Sequence, residues 1–229
     1  MIRRGAGICI VILGVFLIVA AVGLTVWNIK TDIDAGEVNE EIVDRVYTVI
    51  RQSKIDREKE NETESDEPGS VTASDFLPGI YTPDFTPGGV NDEEPEIITV
   101  VVDGREYIGI LSIPVLGLEL SVMRVCDDST IDVAPGRWRG SPYRPGFVIG
   151  GHNYRSHLGK IDRLKEGDLV LYTDLAGRTF TYSVVGQEIL DGNDGKALRD
   201  KEWGLSLFTC TLTGNRRIVV RCLADESSS

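Results

Sequence analysis

A cysteine and an arginine stand at the facing ends of two apolar runs late in the chain, and together they could catalyse acyl transfer. Cys210 ends the run 205–209 and Arg217 begins the run 218–220, with a turn-like stretch between them. This pattern predicts an antiparallel hairpin that brings the two side chains together, with Arg217 turned away from the core. A guanidinium beside the thiol would favour the thiolate and could donate forked hydrogen bonds to a developing oxyanion.

Only two histidines are available as the acid and base of such a reaction. His152 follows the apolar run 147–149 and two glycines, where a strand must end, and functional side chains often occupy such rigidly held positions. We take it as the candidate acid and base, although an ordinary loop histidine would fit the same pattern. Asn153, Thr209 and Arg216 are candidate substrate-binding residues, and each would also fit a merely solvated polar residue.

Each of the two hairpin residues also has a structural interpretation. Cys210 could be a buried strand cysteine, or it could form a disulfide with Cys222 or Cys126. Arg217 could be a solvated strand charge, and the adjacent Arg216 competes with it for the same role. The residue types alone therefore leave these alternatives open.

The elements that would position these residues are mostly strands. Residues 97–229 contain about eight short apolar or alternating runs, separated by turn residues such as Asp103-Gly104 and Gly167-Asp168. Strands at this spacing imply a closed barrel or a sandwich. Short helices are predicted only near 130–134, 158–164 and 195–201.

An apolar segment near the N-terminus predicts a membrane anchor. Gly5 to Trp27 carries no charge, and its roughly 23 residues are long enough to cross a hydrocarbon core of about 30 Å as a helix. Arg3 and Arg4 precede it, so the positive-inside rule places the N-terminus in the cytoplasm and the rest of the chain outside. A cleaved signal peptide is the alternative, but the run is longer than the usual h-region.

The sequence divides into four predicted parts. Residues 1–30 form the cytoplasmic tip and single-pass anchor, and residues 31–52 form a juxtamembrane amphipathic helix with Val38, Ile42, Val46 and Val49 at helical spacing. Residues 53–96 are rich in Glu, Asp, Ser, Thr, Pro and Gly, and predict a flexible tether. Residues 97–229 form the one globular domain.

Charge and cysteine content exclude several functions. The net charge of -12 argues against nucleic-acid binding, which needs clustered Lys and Arg. Four cysteines without a CxxC motif do not resemble a disulfide scaffold or a zinc site.

The order of the motifs resembles the sortase family. The segment LFTCT at 207–211, followed by a turn and the segment RIVVR at 217–221, is similar to the sortase pattern T-L-x-T-C followed by Arg and an apolar strand. The segment FVIGGHN at 147–153 is similar to the apolar strand of sortases that ends in Gly-His. The resemblance extends over about 106–221. The pair His-Asn resembles class B sortases, but the chain is short where that class has a long helical insertion.

The resemblance implies a mainly β fold, a closed eight-stranded sortase-like barrel with short helices, behind the N-terminal transmembrane helix. It implies a cysteine transpeptidase that cleaves a C-terminal LPXTG-like sorting signal of secreted proteins through a thioester on Cys210, with His152 and Arg217 as partners. The acceptor would be an amine of a peptidoglycan precursor or of a pilin. The implied chemistry needs no metal or organic cofactor.

Two other functions compete with this interpretation. One is another cell-wall cysteine enzyme, an L,D-transpeptidase or a Cys-His peptidase. The motif residues of such an enzyme would be arranged differently from those found here, where His152 precedes Cys210 by a long interval. An anchored β-rich binding or adhesion domain with structural cysteines is the non-enzymatic alternative.

Overall fold

The computed structural model describes residues 2–63, 80–81, 96–127, 129–211 and 213–225. The helices are α1 (Ile2–Thr63) and α2 (Gly195–Leu198), with short 3-10 helices at Pro114–Leu116 and Ile161–Arg163. The strands are β1 (Ile80–Tyr81), β2 (Thr99–Val102), β3 (Arg105–Ile113), β4 (Leu118–Met123), β5 (Gly136–Arg139), β6 (Phe147–Gly151), β7 (Leu169–Asp174), β8 (Thr179–Asp191), β9 (Leu205–Cys210) and β10 (Arg216–Ala224).

Eight of these strands close into a barrel. Their order around it is β3, β4, β5, β6, β9, β10, β8 and β7, and the barrel closes because β7 pairs with β3. Two neighbouring pairs are parallel, β4 with β5 and β6 with β9, and the other pairs are antiparallel. The prediction of a mainly β, closed eight-stranded barrel is therefore confirmed.

The barrel interior is a single apolar core. Alternate residues of β9 and β10, such as Leu207 and Val220, point inward and are fully buried. The segment between β6 and β7 contributes Leu158, Ile161 and Leu164 to the same core, which anchors that loop to the barrel. By the usual area rule, each such buried aliphatic side chain stabilises the fold by about 1.5–3 kcal/mol.

Three local predictions differ from the structure. Residues 130–134 form hydrogen-bonded turns instead of a helix, because the Asp127 carboxylate accepts hydrogen bonds from the backbone N–H groups of Ser129 and Thr130. Strand β5 was not predicted, since its sequence GRWR lacks an apolar alternation. Strand β8 extends to Asp191, well beyond the predicted run, where it pairs with the start of β10.

The N-terminal half of α1 is a candidate membrane span. By length and composition it can cross a membrane, with a mean hydropathy of 1.9 over its most apolar 18-residue window. From Leu13 to Ile29 its large apolar side chains are exposed, and Phe16 and Trp27 are 66% and 76% exposed. A helix that exposes apolar groups on all sides is suited to a lipid environment.

The second half of α1 packs against the barrel without a break in the helix. Its buried face includes Ala35, Ile42, Val46 and Ile50. The last three contact a core cluster on β2, β3 and β4. Asn39 lies within this face, where its amide donates to the Glu119 carbonyl and accepts from Ser121. The packing keeps this helix against the domain.

The helix is also longer than the sequence predicts. The tether was expected to begin at Ser53, but α1 continues to Thr63. Contacts with the turn between β7 and β8 account for the extension: the Arg57 guanidinium donates to the Ala176 carbonyl, and Lys54 packs over Gly177. The rest of the predicted tether lies outside the described residues, apart from β1 and the short stretch before β2.

Candidate active site

The hairpin of β9 and β10 holds the cysteine and the arginine side by side. Cys210 and Arg217 are directly opposed in the antiparallel register. Because side chains alternate along a strand, and Leu207 and Val220 point into the core, both residues project from the outer face of the barrel wall. Each is partly exposed. The pair is fixed by backbone hydrogen bonds and not by flexible loops.

The neighbouring parallel strand leads into His152. In the register of β6 and β9, Gly151 pairs with Thr209. His152 follows Gly151 and Cys210 follows Thr209, so these two residues are next to each other on adjacent strands. Adjacent strands lie about 4.8 Å apart. The topology therefore brings all three predicted catalytic residues to one end of the barrel.

A cleft of about 410 Å³ opens beside Cys210 and Arg217. The loop after β8 and the turn between β9 and β10 supply its other walls. Its lining residues are Asp191, Gly192, Asn193, Cys210, Gly214, Asn215 and Arg217. Such a polar cleft offers backbone and side-chain groups to an extended peptide.

Phe208 supports the arginine from below. The guanidinium carbon of Arg217 lies 5.2 Å from the centre of the Phe208 ring, within the range of a cation–π contact. The ring is nearly buried and meets Trp138 edge to face at 6.2 Å. The planar guanidinium is therefore held over the strand that carries Cys210.

His152 is oriented by two neighbours that the sequence analysis did not identify. Its Nε2 lies 2.8 Å from the Asp132 carboxylate. The Tyr154 ring stacks on the imidazole at a centroid distance of 4.5 Å and an interplanar angle of 11°. Asp132 lies in the turn before β5, and no motif marks it in the sequence.

His157 lies behind this layer and is fully buried. Among the residues that the structure describes, neither of its ring nitrogens has a hydrogen-bonding partner. Burial, and to a smaller extent the charge of His152, lower its pKa to about 4, although Asp32, Asp132 and the Val133 backbone oppose the shift. The residue is therefore neutral at physiological pH and serves as packing for the loop that carries His152.

The three candidate substrate-binding residues take different positions. Thr209 is buried, and its side chain points to the opposite face of β9 from Cys210, so it is not accessible from the cleft. Arg216 is exposed and lies opposite Asp191 in the register of β10 and β8. Asp191 lines the cleft, but Arg216 does not. Asn153 is partly exposed beside His152.

The described cysteines are not bridged. Cys126, Cys210 and Cys222 are all free thiols. Burial raises the pKa of Cys126 to about 11 and that of Cys222 to about 12. Both thiols are therefore protonated at neutral pH. Cys222 is buried, whereas Cys126 and Cys210 are partly exposed, and Cys210 lines the cleft.

Comparison with known proteins gives one consistent family. A family model for the Sortase domain matches residues 111–225, which is 115 of the 229 residues and half of the chain. No curated protein matches the chain.

Several solved structures are similar in fold. They include sortase A from Corynebacterium diphtheriae, at 24% identity and a TM-score of 0.47, where the match covers 53% of this chain and 62% of that one. A Clostridium perfringens sortase D5 transpeptidase matches at 21% identity and a TM-score of 0.47, over 52% of this chain and 79% of that one. Sortase A from Listeria monocytogenes matches at 19% identity and a TM-score of 0.47, over 52% of this chain and 88% of that one. The chain thus spans less than two thirds of the Corynebacterium protein.

Proposed function

The chain belongs to the sortase family, and from that premise we propose that it is a cysteine transpeptidase with Cys210 as its nucleophile. The pairing of Cys210 with Arg217, one strand away from the end of β6 that leads into His152, is the observation that carries the proposal. A sulfur and a guanidinium that line an open cleft, with an imidazole just beyond the end of the adjacent strand, match the needs of acyl transfer.

In the first half of the reaction, the Cys210 thiolate attacks a backbone carbonyl carbon of the acyl donor. Arg217 donates hydrogen bonds to the oxygen as it gains negative charge. Collapse of the tetrahedral intermediate forms a thioester and breaks the peptide C–N bond, and protonated His152 gives its proton to the departing amine. Asp132 holds the imidazole in position for this step, since its carboxylate lies 2.8 Å from Nε2.

In the second half, an incoming amine attacks the thioester. Neutral His152 accepts a proton from this amine, and Arg217 again stabilises the oxyanion. A new amide bond forms while the C–S bond breaks, which returns Cys210 as the thiolate. The sequence of steps needs no redox change.

The donor is proposed to be a secreted protein with a C-terminal LPXTG-like sorting signal. The acceptor is an amine of a peptidoglycan precursor or of a pilin. We further propose that α1 anchors the enzyme in the cell membrane by a single pass, with the N-terminus in the cytoplasm and the barrel outside. The apolar half of α1 and the basic residues before it support this arrangement.

The proposal is tested with the full chain in detergent, a set of sorting-signal peptides and an amine acceptor. Cys210→Ala should abolish both cleavage and transfer while the far-UV circular dichroism is unchanged. Cys222→Ala is the matched control, since its sulfur is buried in the core and should not affect the rate beyond a loss of stability. Cleavage by the Cys210→Ala protein at the wild-type rate would refute the assignment of the nucleophile.

A second comparison separates the two adjacent arginines. Arg217→Lys should lower kcat/KM by about 10²-fold or more, because a point charge cannot copy a forked donor. Arg216→Lys should retain most activity, since Arg216 lies outside the cleft lining. The reverse result would assign the oxyanion role to Arg216.

A further inference from the structure

The part of α1 nearest to its apolar segment contacts the loop that carries His152. The Asp32 carboxylate accepts hydrogen bonds from the Ser156 N–H at 2.9 Å and from the Ser156 hydroxyl at 2.7 Å. Gly36 allows the close approach, because a Cβ atom at this position would lie 3.3 Å from the Ser156 Cβ. Ser156 is four residues after His152, so the helix touches the active-site end of the barrel here.

Later turns of α1 contact the opposite end of the barrel. Arg45 forms an ion pair with Asp103 in the turn between β2 and β3. Arg57 donates to the carbonyl of Ala176, in the turn between β7 and β8. That turn is far from the cleft, because β8 begins there and runs to Asp191 at the active-site end. The helix therefore runs along the barrel in one direction, with the active-site end nearer to the apolar segment.

The helix rise gives the height of this contact above the membrane. Asp32 is five residues beyond Trp27, which is about 7.5 Å along a helix axis. The headgroup layer on each side of a bilayer is about 5–8 Å thick, from the difference between the total and the hydrocarbon thickness. Because α1 is unbroken between these residues, Ser156 lies close to the outer level of the headgroups.

The segment 155–165 at this end is basic, in a chain that is acidic overall, and the exposed Asp34 and Asp132 lie near it. Arg155 is exposed directly beside Ser156, and Lys30 is exposed on the helix just beyond the apolar segment. The stretch 155–165 carries four basic residues and one acidic residue, whereas the chain as a whole carries 24 basic and 36 acidic residues. Positive groups at the headgroup level are attracted to anionic lipids.

We propose that the active-site end of the barrel rests on the anionic headgroup layer of the membrane, held there by the packing of α1. The enzyme then acts preferentially on acyl donors whose cleavage site lies at the membrane surface. The inference rests on the proposed function for its kinetic consequence only, since the orientation follows from the packing and from the anchor. It predicts a short distance between Arg155 and the lipid headgroups.

The orientation is tested by fluorescence quenching in vesicles that contain phosphatidylglycerol and a lipid with a headgroup nitroxide. The full chain carries a Cys210→Ala change, which removes the reactive thiol, and a fluorophore on Arg155→Cys. We expect strong quenching at this site. The matched control is a fluorophore on Arg105→Cys, exposed at the other end of the barrel, which should be quenched little. Equal quenching at both sites, or stronger quenching at Arg105→Cys, would overturn the proposal.

A variant with a longer helix, called the lifted variant, tests whether α1 sets the height of the barrel above the membrane. An insertion of about 18 polar helical residues between Lys30 and Thr31 adds about five turns and about 27 Å, so the barrel keeps its side of the helix but moves away from the lipid. Quenching at Arg155→Cys should then be lost. Unchanged quenching would show that the helix does not set the height of the barrel.

The kinetic consequence uses the same enzyme without the Cys210 change. One sorting-signal peptide is supplied either free or coupled to a lipid through a short spacer. The lifted variant should cleave the free peptide at the wild-type rate and the lipid-coupled peptide about tenfold more slowly or worse. Equal rates on the lipid-coupled peptide would refute the preference. If neither protein cleaves the free peptide, the proposed function fails, and the quenching result still decides the orientation.

Discussion

Lowering the pH from about 7.5 to about 5 should destabilise the barrel through one side chain, His157. Its imidazole is fully buried, and burial lowers its pKa from the usual 6.5 to about 4. The unfolded chain therefore binds a proton below about pH 6.5, whereas the folded barrel keeps the imidazole neutral down to about pH 4. The stability is complete above this window and is lost as the pH falls through it.

The size of the effect follows from the two pKa values. A difference of about 2.5 between them corresponds to about 3 kcal/mol, since each unit is worth about 1.36 kcal/mol. At about pH 5 the unfolded state is almost fully protonated and the folded state is not, so about 2 kcal/mol is lost relative to pH 7.5. This is a large share of the 5–15 kcal/mol typical of a domain.

The assay is urea unfolding of the full chain in a mild detergent, followed by tryptophan fluorescence at both pH values. Carboxylates contribute their own pH dependence, so the wild type is compared with His157→Gln, which cannot titrate. The chain has only two histidines, and His152→Gln is the matched control because its side chain is 35% exposed. We expect the extra loss of about 2 kcal/mol to vanish in His157→Gln and to remain in His152→Gln. A wild type that loses no more stability than His157→Gln would refute the reasoning.

Three further predictions concern the site itself. Asp132→Asn should lower kcat by about tenfold, because the His152 imidazole loses the carboxylate that contacts its Nε2; an unchanged kcat would exclude this role. In iodoacetamide labelling at neutral pH, Cys210 should react first and the other two described thiols should resist, which mass spectrometry of the peptides would check. Gly150→Ala should cost about 1–3 kcal/mol in unfolding free energy, because its Cβ would lie 2.3 Å from the Phe208 ring; a wild-type melting temperature would contradict this.

The alternation of inward and outward side chains along β9 and β10 was predictable from the sequence, because it depends only on the order of apolar and polar residues within each strand. Apolar residues at 218 and 220 fix the inward face of β10, so Arg217 must point outward. The short turn then fixes the register, which places Cys210 opposite Arg217. The same parity places Thr209 inward, so the sequence already contained the reason why its side chain does not reach the cleft.

The packing of α1 was only partly predictable, because a polar residue occupies the centre of a buried face that otherwise has the usual helical spacing. Helical spacing predicts Val38 and Val49 on that face, yet Val38 is 46% exposed and Val49 is only partly buried. The polar residue Asn39 lies at the centre instead, where it satisfies backbone groups of β4. A buried amide is acceptable only where such partners exist, and they come from residues about 80 positions away.

The parts of the site differ in what holds them, and this explains why some were predictable and others were not. Cys210 and Arg217 are fixed by strand pairing, so their geometry is as stable as the barrel. His152 lies beyond the end of β6, and its loop depends on the contact between Ser156 and Asp32 and on the buried His157. The position of the imidazole therefore depends on α1, and through α1 on the anchor. Loss of that packing would misplace the acid and base while leaving the thiol and the guanidinium paired.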